Sequence, residues 1–141
     1  MIMKNLALIY KRNSVYQIAY HVIWCPKYRR SVLIGKITSF LACLIDDICR
    51  ENKWEILAKE IQADHIHLFL SFPPAIAISE AVKKLKGITA RKLLLAFPKL
   101  KQQFWKDSLW SPSYYVGTAG NVSAEVIQKY IERTEHIKKR K

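Results

Sequence analysis

The sequence predicts an α+β fold in which an antiparallel sheet carries its helices on one face, and three observations support it. Runs of β-branched and aromatic residues alternate with stretches of helical periodicity in the order β-α-β-β-α-β. Half of the 141 residues are hydrophobic, and the four glycines and five prolines are scattered along the chain. This composition is typical of one globular domain, expected over residues 1–141 with a core at about 14–135.

The first part of the chain predicts one strand and one helix. Residues 15–24, VYQIAYHVIW, are rich in β-branched and aromatic side chains and end before Pro26, as expected of a strand. A basic loop, KYRR, follows. Over residues 36–52 the hydrophobic side chains recur every three or four positions, which predicts a helix with one buried face.

The second part predicts a hairpin, a helix, a strand and a final helix. Strands are expected at 54–61 and 65–72, joined by a two-residue turn. The next helix is expected to begin at Ser79 as its N-cap. A short strand from about Tyr114 and a helix from Ser123 complete the order. The pattern matches the ferredoxin-like split β-α-β plan, with the last helix appended.

The charge of the chain predicts a polyanionic partner. The formal net charge is +13, from 24 lysines and arginines against 11 acidic residues. No acidic residue lies between Glu80 and Asp107, where eight basic residues fall. Such clustering favours nucleic acid over the other uses of a basic surface, which are solubility and attraction to a membrane surface.

The cysteines and the hydropathy predict a cytoplasmic protein with no membrane partner. Three cysteines without a C-x-x-C spacing favour reduced, structural thiols over a disulfide framework or a zinc knuckle. The first ten residues are interrupted by Lys4 and do not resemble a signal segment. No apolar run reaches the roughly 18 residues that a membrane span needs.

Two histidines lie one residue apart in ADHIHLFLSF, residues 63–72. Because strand side chains alternate, His65 and His67 project to the same face. A two-residue turn then sets Glu60 opposite His67, with Cβ atoms roughly 5 Å apart. Two imidazoles and a carboxylate on one sheet face predict a divalent-metal site. The alternative is two half-buried structural histidines and a solvated glutamate at the end of a strand.

Two more residues are candidates to support the ligands of such a site. His21, on the first strand, would join the pair if that strand neighbours the hairpin. Asp64 is a candidate to accept a hydrogen bond from a ligand imidazole, although an aspartate in a tight turn is more often turn chemistry.

The last predicted helix carries Tyr130 on its inward stripe, beside Ile127 and Ile131. The ordinary interpretation is a structural tyrosine, because a phenol with a pKa near 10 is a poor nucleophile at neutral pH. A metal ion beside the ring would change that interpretation.

Five ordered blocks resemble a known family: YHVIWCPKYRR, ADHIHLFLSFPP, AVKKLKGITARKLL, FWKDSLWSPSYYVGTAGN and VIQKYIE. Together they are similar to the insertion-sequence (IS) two-hundred-like transposases, the single-tyrosine group of the HUH superfamily. The superfamily takes its name from two histidines around a hydrophobic residue. The similarity covers roughly residues 20–131.

The resemblance implies a DNA transposase that cuts and rejoins single-stranded DNA. His65 and His67 would bind Mg²⁺ or Mn²⁺, and Tyr130 would attack phosphorus to form a 5′-phosphotyrosine with release of a 3′-hydroxyl. It further implies a homodimer that binds hairpins near the ends of the element. Whether the tyrosine helix completes the site of its own subunit or of the other stays open.

This chain departs from the pattern of the family at the third metal ligand. Family members commonly carry a glutamine four residues after the tyrosine, where this chain has Thr134. A threonine hydroxyl is the weaker ligand, so Glu60 is the expected replacement, supported by His21 and Asp64. The alternatives are that water fills the third position or that the site is impaired. The basic side chains implied as DNA contacts are Lys27, Arg29, Arg30, Lys83, Lys84, Lys86 and Arg91.

Three alternatives remain at the level of sequence. An RNA- or DNA-binding module of similar fold would use the charge and aromatic residues without catalysis. A metal-dependent phosphodiesterase would use water as the nucleophile and leave Tyr130 structural. A domesticated relative would process host repeats by the same chemistry instead of moving an element.

Overall fold

A computed structural model describes residues 9–11, 14–16, 18–104 and 108–118. The helix expected from Ser123, which carries Tyr130 and Thr134, lies outside these residues. Within them, no helix is both long enough and apolar enough to cross a membrane.

The described strands form one sheet of four strands and a separate pair. The strands are β1 (Ile9–Lys11), β2 (Ser14–Tyr16), β3 (Ala19–Trp24), β4 (Glu55–Gln62), β5 (His65–Ser71) and β6 (Tyr115–Thr118). The sheet has the order β4-β5-β3-β6, every neighbouring pair is antiparallel, and β1 pairs only with β2 among the described strands. This order is that of the ferredoxin-like plan, so the predicted fold class is confirmed.

Two long helices connect the strands. Helix α1 (Lys36–Asn52) joins β3 to β4, and α2 (Ile78–Ala96) follows β5. A 3₁₀ turn at Lys27–Arg29 precedes α1, and a short helix, α3 (Pro98–Lys101), follows α2. The bounds of α1 are those that its periodicity predicts.

Two predicted elements differ from the structure. The expected first strand is divided, because residues 14–16 pair with β1 while the sheet strand begins at Ala19. The prediction of Ser79 as an N-cap is wrong: Ala77 precedes the first turn of α2 and makes no side-chain cap. The helix begins at Ile78, and that side chain packs against the core from the first turn.

The two faces of the sheet have different coverings. On β5, Ile66, Leu68 and Leu70 project into the main core, which includes buried side chains from α1 and α2. We call this the helix-covered face. The alternate residues of β5, including His67 and Phe69, project to the other side, which we call the histidine face.

Candidate active site

The β4–β5 hairpin sets the first part of the site. The turn consists of two residues, so Gln62 pairs with His65 and Glu60 pairs with His67, as the sequence predicts. A β-bulge shifts the register between Ile56 and Ala58, at the far end of the hairpin. The pairing of Glu60 with His67 therefore depends only on the turn and the strand alternation.

Strand β3 brings His21 to the same face. It pairs with β5 so that His21 lies opposite Phe69 and Ile23 lies opposite His67. The imidazole of His21 stacks on Phe69, with centroids 4.3 Å apart and planes 13° from parallel. Its Nδ1 lies 2.9 Å from Nε2 of His67, within hydrogen-bonding distance. The predicted neighbourhood of His21 is confirmed.

The environment of His67 favours its neutral form. Burial of the ring, with a smaller contribution from His21, lowers the pKa of His67 to about 4. The charge of Glu60 opposes this shift, which indicates that the carboxylate acts on the ring electrostatically. Neutral imidazole is the form that binds metal, so at neutral pH His67 is in the ligand form.

His65 is held by the turn that precedes it. Its Nδ1 lies 2.9 Å from Oδ1 of Asp64. A carboxylate oxygen accepts hydrogen bonds, so Nδ1 is the donor in this contact, and Nε2 is the nitrogen that it does not use. Asp64 therefore has the contact expected of a residue that supports a metal ligand, in addition to its place in the turn.

The side chains of His65, His67 and Glu60 do not form a complete metal-binding group. In the ranges that the structure describes, no three His, Cys, Asp or Glu side chains form a group that could hold a metal ion. The two rings fit the role of metal ligands, since each has a hydrogen-bonding partner of its own besides any metal ion, as ligand histidines usually do. Glu60 as the third ligand stays a prediction.

The basic loop after β3 lies next to the hairpin turn. The amide of Leu33 donates to the carbonyl of Ala63 at 3.0 Å, which ties the loop to the turn. Tyr28 and Arg29 have φ angles of 61° and 52°, in the left-handed region. That backbone costs about 1–3 kcal/mol at each such residue, so surrounding contacts must hold it in place.

The predicted DNA contacts of α2 lie on the other side of the sheet from the histidines. Lys83, Lys84 and Arg91 are exposed on α2, the helix that packs on the helix-covered face. They line a groove of about 510 Å³, together with residues that include Trp54 and Ile76. Apart from Lys86, the predicted DNA contacts therefore fall into two areas, the groove of α2 and the loop at 27–30.

Lys86 does not share this exposed position. Its ammonium donates to the carbonyls of Ser111 and Ser113, at 2.7 and 3.3 Å, and lies 5.7 Å from the ring centroid of Tyr114. Burial lowers the pKa of Lys86. The side chain connects α2 to the segment before β6, and its assignment as a DNA contact stays a prediction.

Strand β6 adds two residues to the site that the sequence pattern did not indicate. Gly117 pairs with His21 and Tyr115 pairs with Ile23, so both lie on the histidine face. A Cβ on Gly117 would come within 2.6 Å of the Tyr115 hydroxyl, so the phenol lies across the glycine. A glycine inside a strand is the signal that indicates such a close approach.

Comparison with known proteins places this geometry in a family. The family model described as "Transposase IS200 like" matches residues 14–134. The chain is 44% identical over 127 residues to the ISDra2 transposase TnpA of Deinococcus radiodurans, covering 90% of each protein. It is 34% identical over 113 residues to the transposase for insertion sequence element IS200 of Salmonella typhimurium, covering 80% of this chain and 74% of that protein.

Solved structures show the same fold. A crystal structure of a protein from Deinococcus radiodurans R1, assigned as a transposase, superposes with a TM-score of 0.82 at 40% identity, over 89% of this chain and 97% of that one. The REP-associated tyrosine transposase bound to a REP hairpin superposes with a TM-score of 0.56 at 18% identity, over 88% of this chain and 68% of that one. The second likeness supports the fold alone.

Proposed function

The chain belongs to the family of IS200-like transposases, and we propose that it cuts and rejoins single-stranded DNA through a covalent link to Tyr130. The observation that carries this proposal is the pair of imidazoles on one sheet face, each with its own hydrogen-bonding partner. Such a pair suits a site that binds a divalent cation against a phosphate.

His65 and His67 would hold Mg²⁺ or Mn²⁺, with Glu60 as the third ligand. A cation bound there supplies the positive charge that stabilises the scissile phosphate as the bond breaks. His65 would bind through Nε2, since its Nδ1 donates to Asp64. Since the pKa of His67 is lowered to about 4, no proton has to leave the ring at neutral pH before it binds the cation.

Tyr130 is the proposed nucleophile. Its phenol oxygen would bond to phosphorus while the 3′ oxygen leaves as a hydroxyl, which gives a 5′-phosphotyrosine. Attack by the 3′-hydroxyl of another strand reverses the step and joins the two strands. The phosphotyrosine conserves the energy of the broken phosphodiester, so no nucleotide cofactor is required.

Binding of the DNA is proposed to involve both basic areas. Lys27 and Arg30 in the loop, and Lys83, Lys84 and Arg91 in the groove of α2, would contact the backbone of hairpins near the ends of the element. Removal of one such contact is expected to lower the slope of log affinity against log salt by about one. We also propose that the protein acts as a homodimer in the cytoplasm.

The function is tested with labelled single-stranded DNA and Mg²⁺. We expect a protein–DNA adduct that survives SDS and is missing in Tyr130→Phe. Tyr114→Phe, a change of the same size at an exposed tyrosine, is the matched control and should keep the adduct. Cut DNA without an adduct would instead indicate a phosphodiesterase that uses water, and bound but uncut DNA would indicate a binding module.

A further inference from the structure

The three basic side chains of the loop at 27–30 have different partners. Lys27 lies 5.4 Å from the ring centroid of Tyr28, and Arg30 lies 5.8 Å from the same centroid and 5.6 Å from that of Phe104. Arg29 lies instead against the hairpin turn, with its Nε 3.6 Å from Oδ2 of Asp64. The sequence KYRR does not distinguish these roles.

The carboxylate of Asp64 joins Arg29 to a candidate metal ligand. Its Oδ2 lies near Arg29 and its Oδ1 accepts from Nδ1 of His65. The side chains of Arg29, Asp64 and His65 are 25%, 27% and 14% exposed, so the chain of contacts is largely shielded from water. Because Arg29 contacts one carboxylate oxygen, it orients the Asp64 side chain, and the other oxygen accepts from Nδ1 of His65.

The backbone holds Arg29 in this position. Tyr28 and Arg29 both adopt left-handed φ angles, which non-glycine residues keep only where the surroundings determine them. The hydrogen bond from Leu33 to Ala63 ties the segment that follows this loop to the same turn. The backbone of the loop therefore brings Arg29 close to Asp64, and its side chain completes the contact at 3.6 Å.

We propose that Arg29 is a positioning residue of the metal site, which orients Asp64 and through it the tautomer and direction of His65. This inference rests on the proposed function. It assigns to Arg29 a role different from the DNA contact that its charge suggests. Arg29 acts through Asp64 and needs no contact with DNA.

Mn²⁺ alone, without DNA, provides the first test. We expect Arg29→Gln to weaken Mn²⁺ binding, measured by electron paramagnetic resonance, by about threefold to tenfold, since direct partners of ligand histidines contribute about tenfold to a hundredfold. Lys27→Gln removes the same charge from the same loop and should leave Mn²⁺ affinity unchanged. Equal Mn²⁺ affinity in Arg29→Gln and the wild type would overturn the proposal.

A double substitution of Arg29 and Asp64 distinguishes a positioning role of Arg29 from a general effect on folding. In an Asp64→Asn background, Arg29→Gln should cause no further loss of Mn²⁺ affinity, because the two side chains act in series. Additive losses would contradict the proposal. In the metal-free wild type, long-range ¹H–¹⁵N spectra should place the proton of His65 on Nδ1, and Arg29→Gln should increase the population with the proton on Nε2. An unchanged tautomer would also contradict it.

Failure of the inference and failure of the proposed function give different results. If the wild-type protein binds no Mn²⁺ at His65 and His67, the function fails and the inference fails with it. If the wild type binds Mn²⁺ and Arg29→Gln instead weakens only the affinity for single-stranded DNA in EDTA, Arg29 is a backbone contact. In that case the function stands and the positioning role is wrong.

Discussion

Leu68 and His67 are neighbours on β5, yet they lie in opposite environments. Leu68 projects into a core that draws on both long helices and on β3. His67 is almost as buried, at 5% exposure, but its contacts include a second imidazole at 2.9 Å and the charge of Glu60. One strand thus carries the main core on one side and the candidate chemistry on the other.

The two faces differ in the kind of contact that holds their side chains in place. The helix-covered face is made of many dispersion contacts, so loss of one side chain lowers stability but leaves the arrangement intact. The histidine face relies on a few directed hydrogen bonds, and each bond sets the tautomer or direction of a functional ring. Substitutions on the two faces should therefore change different measured quantities.

The largest expected effect is on catalysis, from His67→Ala. Loss of a metal ligand should slow cleavage of single-stranded DNA by about a thousandfold, since a bound cation contributes several kcal/mol and each 1.4 kcal/mol is tenfold. The rate is measured per folded molecule in Mg²⁺. Cleavage within a few-fold of the wild type would show that the histidine face carries no chemistry.

Leu68→Ala tests the other face. It should lower the free energy of unfolding by about 3 kcal/mol, because a buried leucine is truncated in a packed core. Urea unfolding measures the change, and cleavage per folded molecule should stay near that of the wild type. A selective loss of cleavage without loss of stability would remove the distinction between the faces.

Acid should destabilise the metal-free protein through His67. Its pKa is about 4 in the fold, chiefly because of burial, against 6.5 ordinarily, so between these values the unfolded chain binds a proton that the native chain does not. Stability is therefore full above pH 6.5 and falls on acidification. The loss from pH 7 to pH 5 attributable to His67 is about 2 kcal/mol. Urea unfolding in EDTA should show this loss in the wild type and not in His67→Asn; equal losses would contradict the assignment.

Glu60→Gln tests the third ligand. If Glu60 binds the cation, Mn²⁺ affinity should fall by about tenfold or more, because a neutral amide replaces an anionic oxygen ligand. Glu55→Gln, at the exposed other end of β4, is the matched control and should have no effect. Equal affinities in both variants would exclude Glu60 from the metal site.

The smallest effect is expected from a buried polar group on the helix-covered face. Thr89 accepts a hydrogen bond from the indole of Trp110 at 3.0 Å and donates to the carbonyl of Leu85 at 2.6 Å. Thr89→Val should lower stability by about 1 kcal/mol, since it leaves the indole N–H without its partner. Cleavage per folded molecule should not change, and a large change would show that polar groups on both faces serve the reaction.

Much of the fold and part of the site follow from local patterns. The bounds of α1 follow from its periodicity, and the two-residue turn sets the pairing of Glu60 with His67. The start of α2 does not follow from a local pattern, because the packing of Ile78 against the core outweighs the capping preference of Ser79. The contacts of Lys86 do not follow from a local pattern either, because its partners, the carbonyls of Ser111 and Ser113, lie 25 and 27 residues away along the chain.

By itself the sequence determined which side chains lie on each face of β5, because the alternation of a strand and the length of a turn are properties of neighbouring residues. It placed His65 and His67 on one side and the aliphatic residues of β5 on the other. Only the tertiary structure decided that His21 contacts His67 across 46 positions and that Arg29, alone of three basic neighbours, lies against Asp64. Such contacts depend on strand order and on where a loop docks, which are set by the packing of the whole core.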